Sequence, residues 1–276
     1  MDAPAWLGLE PTHNPMRWVL PVKAGITTGH GFLFGGCGLG AAVAALEGSS
    51  GRPVVWATAQ YLSYAQTDSI MDVDVTIAVR GNQITQARAV GQVGDREILT
   101  VNAALGTREV EAQGQWAERP EVPGPDECPA RMSRFPGTES IMDRIDVRLA
   151  AARNPMTDLP GPPSVDGRSA LWARLPEVLD MSASTLSILG DYVPFGIGQA
   201  LGAQAGGNSL DNTLRVAQLV PTEWVLLDIR VHAVHHGFGH GVVHLWAEDG
   251  TLLATASQST IVRFWDGEPG PRVAKN

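Results

Sequence analysis

The sequence predicts an α+β chain made of two similar halves, each a curved antiparallel sheet wrapped around one buried helix. Three observations carry this. Runs of alternating apolar and polar residues recur in groups of three, separated by turn residues. Each half holds one apolar stretch, rich in Gly and Ala, with no polar stripe. The two halves also follow one another in pattern and order along an ungapped offset of 154 residues.

Trp18 falls on Trp172 and Gly36 on Gly190 at that offset. "GGCGLGAAVAALEG" then falls on "LGDYVPFGIGQALG". These are the two helix candidates, near 36–47 and 191–203, starting near Gly36 and Gly190. Without a polar face they must be buried nearly all round, and their glycines allow close approach to a sheet. In the first half Met71, Val73, Val75, Ile77 and Val79 alternate with Asp72, Asp74, Thr76 and Arg80, the pattern of a half-buried strand. Gly81-Asn82 turns the chain into a strand at 83–93, and Gly94-Asp95 into one at 97–106. The second half repeats this, with strands near 224–234, 240–247 and 251–264 and turns at "HHGFG" and "EDG". The expected organisation is an N-terminal unit over 1–107, a linker over 108–165 and a C-terminal unit over 166–276. The linker is rich in Pro, Gly and charge, with a short strand or helix near 139–152.

Composition narrows the function. The chain is 44% hydrophobic and 18% charged, as in a soluble globular protein. A net charge of −9 argues against a partner made of nucleic acid, which needs an excess of Lys and Arg. Cys37 and Cys128 are far apart and in no metal-type spacing, so a reducing cytoplasm is the expected compartment. The start "MDAPAWLGLE" is not of signal-peptide type, and no apolar run is long enough for a membrane span.

The halves differ where chemistry is expected. "GGCGLGAAVAALE" and "ATAQYLSYA" in the first half, then "LGDYVPFGIGQAL", "SLDNT", "TEWVLLDIR" and "DGTLLATASQSTIVR" in the second, resemble the TesB-like (type II) acyl-CoA thioesterases. The resemblance covers roughly residues 17–107 and 168–264. It implies a tandem, or double, hot dog fold, a homo-oligomer, an acyl-CoA substrate and no cofactor or metal. It also implies a catalytic set, carried over residue by residue to Asp191, Ser209 and Gln258. The chain departs from the family where a His follows the Asp of the Ser/Thr-x-Asp-His pattern; here that position is Asn212. The aromatic, basic run that follows in the family is "TLRVAQLV" here.

At offset 154, Asp191 falls on Cys37, Ser209 on Val55 and Gln258 on Ala104, so the polar groups belong to one half only. Each also has a plain structural reading: Asp191 as the N-cap of its helix, Ser209 as a loop hydroxyl, Gln258 as a bridging amide on a buried strand face. Thioester hydrolysis explains why such groups would meet. A carboxylate can deprotonate an attacking water, while a hydroxyl and an amide hold it in line. Backbone N–H groups near a helix N-terminus would serve the oxyanion, and the CoA phosphates need cations, for which Arg88 and Arg263 are candidates.

Other signals weigh less. The histidines at 232, 235, 236, 240 and 244 read as a polar hairpin surface rather than a metal site. Cys37 reads as a small buried residue, and "GGCGLG" lacks the context of a nucleotide loop. The alternatives to a thioesterase are a hot dog hydratase, which would pair its Asp with a His that "DYVPFGIG" lacks, and a non-catalytic acyl-CoA binder or scaffold.

Overall fold

The computed structural model describes residues 1–178 and 180–265. The first half contains helix α1 (Ala3–Leu7), strands β1 (Glu10–Pro11) and β2 (Arg17–Pro21), helix α2 (Gly35–Ser50) and strands β3 (Val54–Tyr61), β4 (Ile70–Arg80), β5 (Ile84–Val93) and β6 (Arg96–Gly106). Helix α3 (Ile141–Arg144) and strand β7 (Asp146–Ala151) follow. The second half contains β8 (Arg168–Arg174), helices α4 (Ala183–Leu189) and α5 (Val193–Leu201), and strands β9 (Ala205–Ser209), β10 (Asp211–Val216), β11 (Val225–His235), β12 (Phe238–Ala247) and β13 (Leu252–Phe264).

The strands form one sheet in the order β1-β2-β4-β5-β6-β3-β10-β13-β12-β11-β8-β7, with β9 also on β13. Every pairing is antiparallel. The two halves join where β3 meets β10. Thr58 pairs with Thr213 at that seam, and their hydroxyls share a 2.6 Å hydrogen bond.

The register both supports and corrects the ungapped offset. β5 (Ile84–Val93) maps onto β12 (Phe238–Ala247) at 154, and so do the irregularities between Ile77 and Val79 and between Val231 and Ala233. At the first strand the offset slips by one. Val73 pairs with Trp18, but its counterpart Leu227 pairs with Leu171, so Trp172 is not the equivalent of Trp18. A one-residue slip turns a side chain to the other face of a sheet. Trp18 accordingly packs on Gly48 and bonds Ser49 of α2. Trp172 lies on the outer face with Leu226 and Trp246, donating to the carbonyl of Pro123 at 2.8 Å. Residues around 115–128 thus lie over the apolar outer face of the second half's part of the sheet, and β7 extends its edge.

Helix α2 runs through the core with nearly all of its length buried. Its glycines admit close neighbours. A Cβ on Gly38 would meet Leu99 at 2.8 Å, and one on Gly40 would meet the Ser184 carbonyl at 3.0 Å. The approach is therefore to another helix, α4, as well as to the sheet. In the second half the helix expected over 191–203 is α5, and a further helix, α4, precedes it. Ser182 caps α4 by accepting from the Thr185 N–H, Gly190 closes it, and Pro194 lies in the first turn of α5. Asp191 stands in the break between them.

Candidate active site

The break between α4 and α5 points the Asp191 side chain at the start of α2, in the other half. Asp191 is not the N-cap of its own helix; Tyr192 takes that place with no side-chain hydrogen bond. One carboxylate oxygen, Oδ2, instead accepts the Gly36 N–H at 2.6 Å, in the first turn of α2. The positive end of that helix favours the ionised carboxylate. Small residues make the approach possible: a Cβ on Gly35 would stand 2.8 Å from Oδ2, and one on Gly36 3.0 Å from the Asp191 Cβ.

Gln258 and Ser209 meet the other oxygen. β13 aims Gln258 inward, where it is 2% exposed, and its Nε2 donates to Asp191 Oδ1. The same Nε2 donates to Ser209 Oγ at 3.0 Å, and that hydroxyl donates to Asp191 Oδ1 at 3.3 Å. Gln258 Oε1 accepts the Val193 N–H at 3.0 Å, which sets the end of the amide that faces the carboxylate. The structure therefore brings all three residues into one hydrogen-bonded cluster. Their counterparts in the first half are apolar. The rung Ala87–Ala103 corresponds to Gly241–Gln258, so Ala103, not Ala104, is the partner position of Gln258.

Asp191 is 6% exposed. Burial pushes its carboxyl above the usual value, while the bonds from Gln258, the Gly36 N–H and Ser209 pull it part of the way back. Three donors leave the carboxylate with lone-pair capacity for one further proton donor, such as water.

Two groups beside the carboxylate went unassigned in the sequence. Tyr61 donates to the Gly35 carbonyl at 2.9 Å, and burial, with the Asp191 charge, holds its phenol protonated. Asn212 is 1% exposed and lies by the Tyr61 hydroxyl, and neither atom of its amide makes a well-formed hydrogen bond among the described residues. Thr213 pairs with Ser257, so Asn212 stands opposite Gln258. Its replacement of a His was the only sequence signal.

The remaining candidates separate. Arg88 lies on the solvent face of β5, opposite to buried Ala87 and Ala89, and takes no part in the site. Arg263 lies near it and donates to Asn208, the neighbour of Ser209, at 3.4 Å. Cys37 is fully buried as a thiol, its pKa raised by burial and by the Asp191 charge. The histidines spread over the β11–β12 hairpin, and no group of three metal-ligating side chains converges among the described residues.

A family model for the acyl-CoA thioesterase C-terminal domain matches residues 125–262, half of the chain, including Asp191, Ser209 and Gln258. A solved structure from Novosphingobium aromaticivorans, assigned as a thioesterase, is 32% identical with a TM-score of 0.81, covering 91% of this chain and 97% of that one. Two others are alike in fold alone. A hot dog protein from Alicyclobacillus acidocaldarius has 18% identity, a TM-score of 0.76 and coverage of 93% and 96%. The acyl-CoA thioesterase II TesB2 of Mycobacterium marinum has 16% identity, a TM-score of 0.71 and coverage of 95% and 98%. No curated protein matches the sequence. By its family match and its 32% identical relative, and with the double hot dog fold of its structural neighbours, the chain belongs to the acyl-CoA thioesterase family.

Proposed function

We propose that the protein hydrolyses acyl-CoA to the free acid and CoA by direct attack of water, with Asp191 as general base. The observation that carries this reading is the Asp191 carboxylate, buried and held by Gly36, Ser209 and Gln258. The water oxygen adds to the thioester carbonyl as its proton passes to Asp191. Ser209 and Gln258 orient that water. Asn212 offers its unpartnered amide to the oxygen that gains charge, the role an Asn side chain fills in oxyanion holes. Collapse breaks the C–S bond, and the proton held by Asp191 goes to the departing thiolate. A hydratase would need a His beside the carboxylate, and the polar partners of Asp191 include none.

Thiol release from a panel of acyl-CoA esters, from short to long, tests the activity. Release from at least one chain length is expected; no release from any would sink the reading. The protein acts as a homo-oligomer in this reading. Exposed Val55, Ile70 and Val79 on the strands of the first half and Phe238 on those of the second favour association. Light scattering at micromolar concentration checks it, and a monomeric mass would count against it.

A further inference from the structure

Three arginines and a set of aromatic rings, drawn from distant parts of the chain, gather just outside Ser209. Asn208 Nδ2 donates to Tyr64 Oη at 2.8 Å, and Arg96 donates to the Tyr64 carbonyl at 3.2 Å. Arg263 reaches the other end of the Asn208 amide. Next to it, the Arg134 guanidinium lies 4.2 Å from the centroid of the Trp265 ring and 5.4 Å from that of Phe135. His30 closes the set, edge-on to Phe135 at 4.9 Å.

The charge here runs against the whole. The chain carries −9, yet none of the three arginines forms an ion pair with a carboxylate among the described residues. Burial lowers the Arg134 pKa, and both burial and Arg134 lower that of His30; among the described residues no acid opposes either shift. A cluster of cations interleaved with aromatic rings, with no acidic partner among the described residues, suits a ligand that is both anionic and aromatic.

Its position gives the ligand a length. β9 leads away from Ser209, and Arg263 pairs with Gly206, three residues and about 10 Å further out. Trp265 lies against Gly206, and Arg134 lies over Trp265. A ligand spanning the two places needs a reactive end at Ser209, a slender arm along the glycines of β9, and an anionic aromatic end at the arginines.

We propose that Arg134, Arg263 and Arg96, with the Trp265 and Phe135 rings, bind the adenosine bisphosphate end of the CoA substrate while the pantetheine arm lies along β9. This rests on the thioesterase reading and names where the substrate's nucleotide is held.

The test compares an acyl-CoA with the acyl-pantetheine of the same chain, which lacks the nucleotide. Wild type should prefer the acyl-CoA. In Arg134→Gln and in Arg263→Gln the ratio of the two kcat/KM values should fall roughly ten- to a hundredfold, the weight of a lost charge-assisted contact. Arg88→Gln, on the far face, should leave the ratio unchanged. Calorimetry with adenosine 3′,5′-bisphosphate as the probe reads the site without turnover. Binding by wild type and weaker binding by both variants supports the assignment even if no acyl-CoA is hydrolysed, which would overturn only the reaction. Equal loss on both substrates, or unchanged binding of the bisphosphate, would overturn the nucleotide site. Should Arg134→Gln fail to fold, the exposed Arg263 carries the same readouts.

Discussion

Asp191 of the second half accepts a 2.6 Å hydrogen bond from the backbone N–H of Gly36, in the first turn of the buried helix of the first half. The proposed base is thus held by both halves. One supplies the carboxylate, the hydroxyl and the amide, and the other supplies a helix N-terminus. The half without polar counterparts of Ser209 and Gln258 still builds the site.

Replacing the carboxylate separates chemistry from folding. Asp191→Asn keeps an oxygen for the Gly36 N–H and loses proton acceptance. Loss of a general base costs about 10²–10⁴ in rate. Thiol release should fall by that factor while thermal unfolding stays near wild type, because the substitution also removes a buried charge. Wild-type turnover in Asp191→Asn would exclude the residue as the base. Cys37→Ala is the matched control, since a buried thiol held protonated offers no nucleophile. It should keep most of its activity.

The pH dependence follows from the direction of the Asp191 shift. Its carboxyl is raised by burial, so the acid limb of kcat/KM should lie above the usual carboxylate range. The sign for stability is opposite to that of a salt-bridged acid. The folded state holds this proton more tightly than the unfolded state. Stability is therefore lost as pH rises from the unfolded value through the raised one. Asp191→Asn should lose that dependence, which chemical denaturation at several pH values measures. An acid limb at the ordinary Asp value would contradict it.

Asn212 gives an opposite pairing of stability and rate. A buried amide without partners costs about 1–3 kcal/mol. Asn212→Leu removes that cost in a similar volume, so the melting temperature should hold or rise. If the amide serves the developing oxyanion, kcat should fall about 10²–10³-fold with little change in KM. A variant both stable and fully active would remove Asn212 from the reaction.

Much of this was legible in the sequence, for reasons that particular residues make clear. Alternation at Met71–Val79 and the repeat of β5 in β12 exposed the strands, since one face of each must be buried. The helix α4 that precedes Asp191 is absent from the sequence reading, whereas α5 lies within the range expected. Gly190 reads equally as a helix start and as a helix end, and Ser182 and Pro194 were the signals that decide it. The slip at Trp172 was hidden because both faces of β8 are buried and apolar, so periodicity carries no facing information there. Asp191, Ser209 and Gln258 were found through resemblance and asymmetry. The Gly36 contact spans 155 residues of chain, and no local pattern encodes it.

The last prediction concerns Ser209 and Gln258 as a unit. Gln258 touches Asp191 and Ser209 with one end and the Val193 N–H with the other, so Gln258→Ala should lower both stability and rate. Losing the acceptor for a helix N–H costs about 0.5–2 kcal/mol. Ser209→Ala removes the 3.3 Å bond to the carboxylate and one acceptor of Gln258 Nε2, which keeps its bond to Asp191, so it should cost mainly rate. If the two groups orient one water, the first substitution already releases it, and the second has little left to remove. The double variant should then lose less rate than the product of the single losses. Groups that act on separate steps would instead multiply. A full multiplicative loss in kcat, with folding intact, would show that Ser209 and Gln258 do not hold the same water.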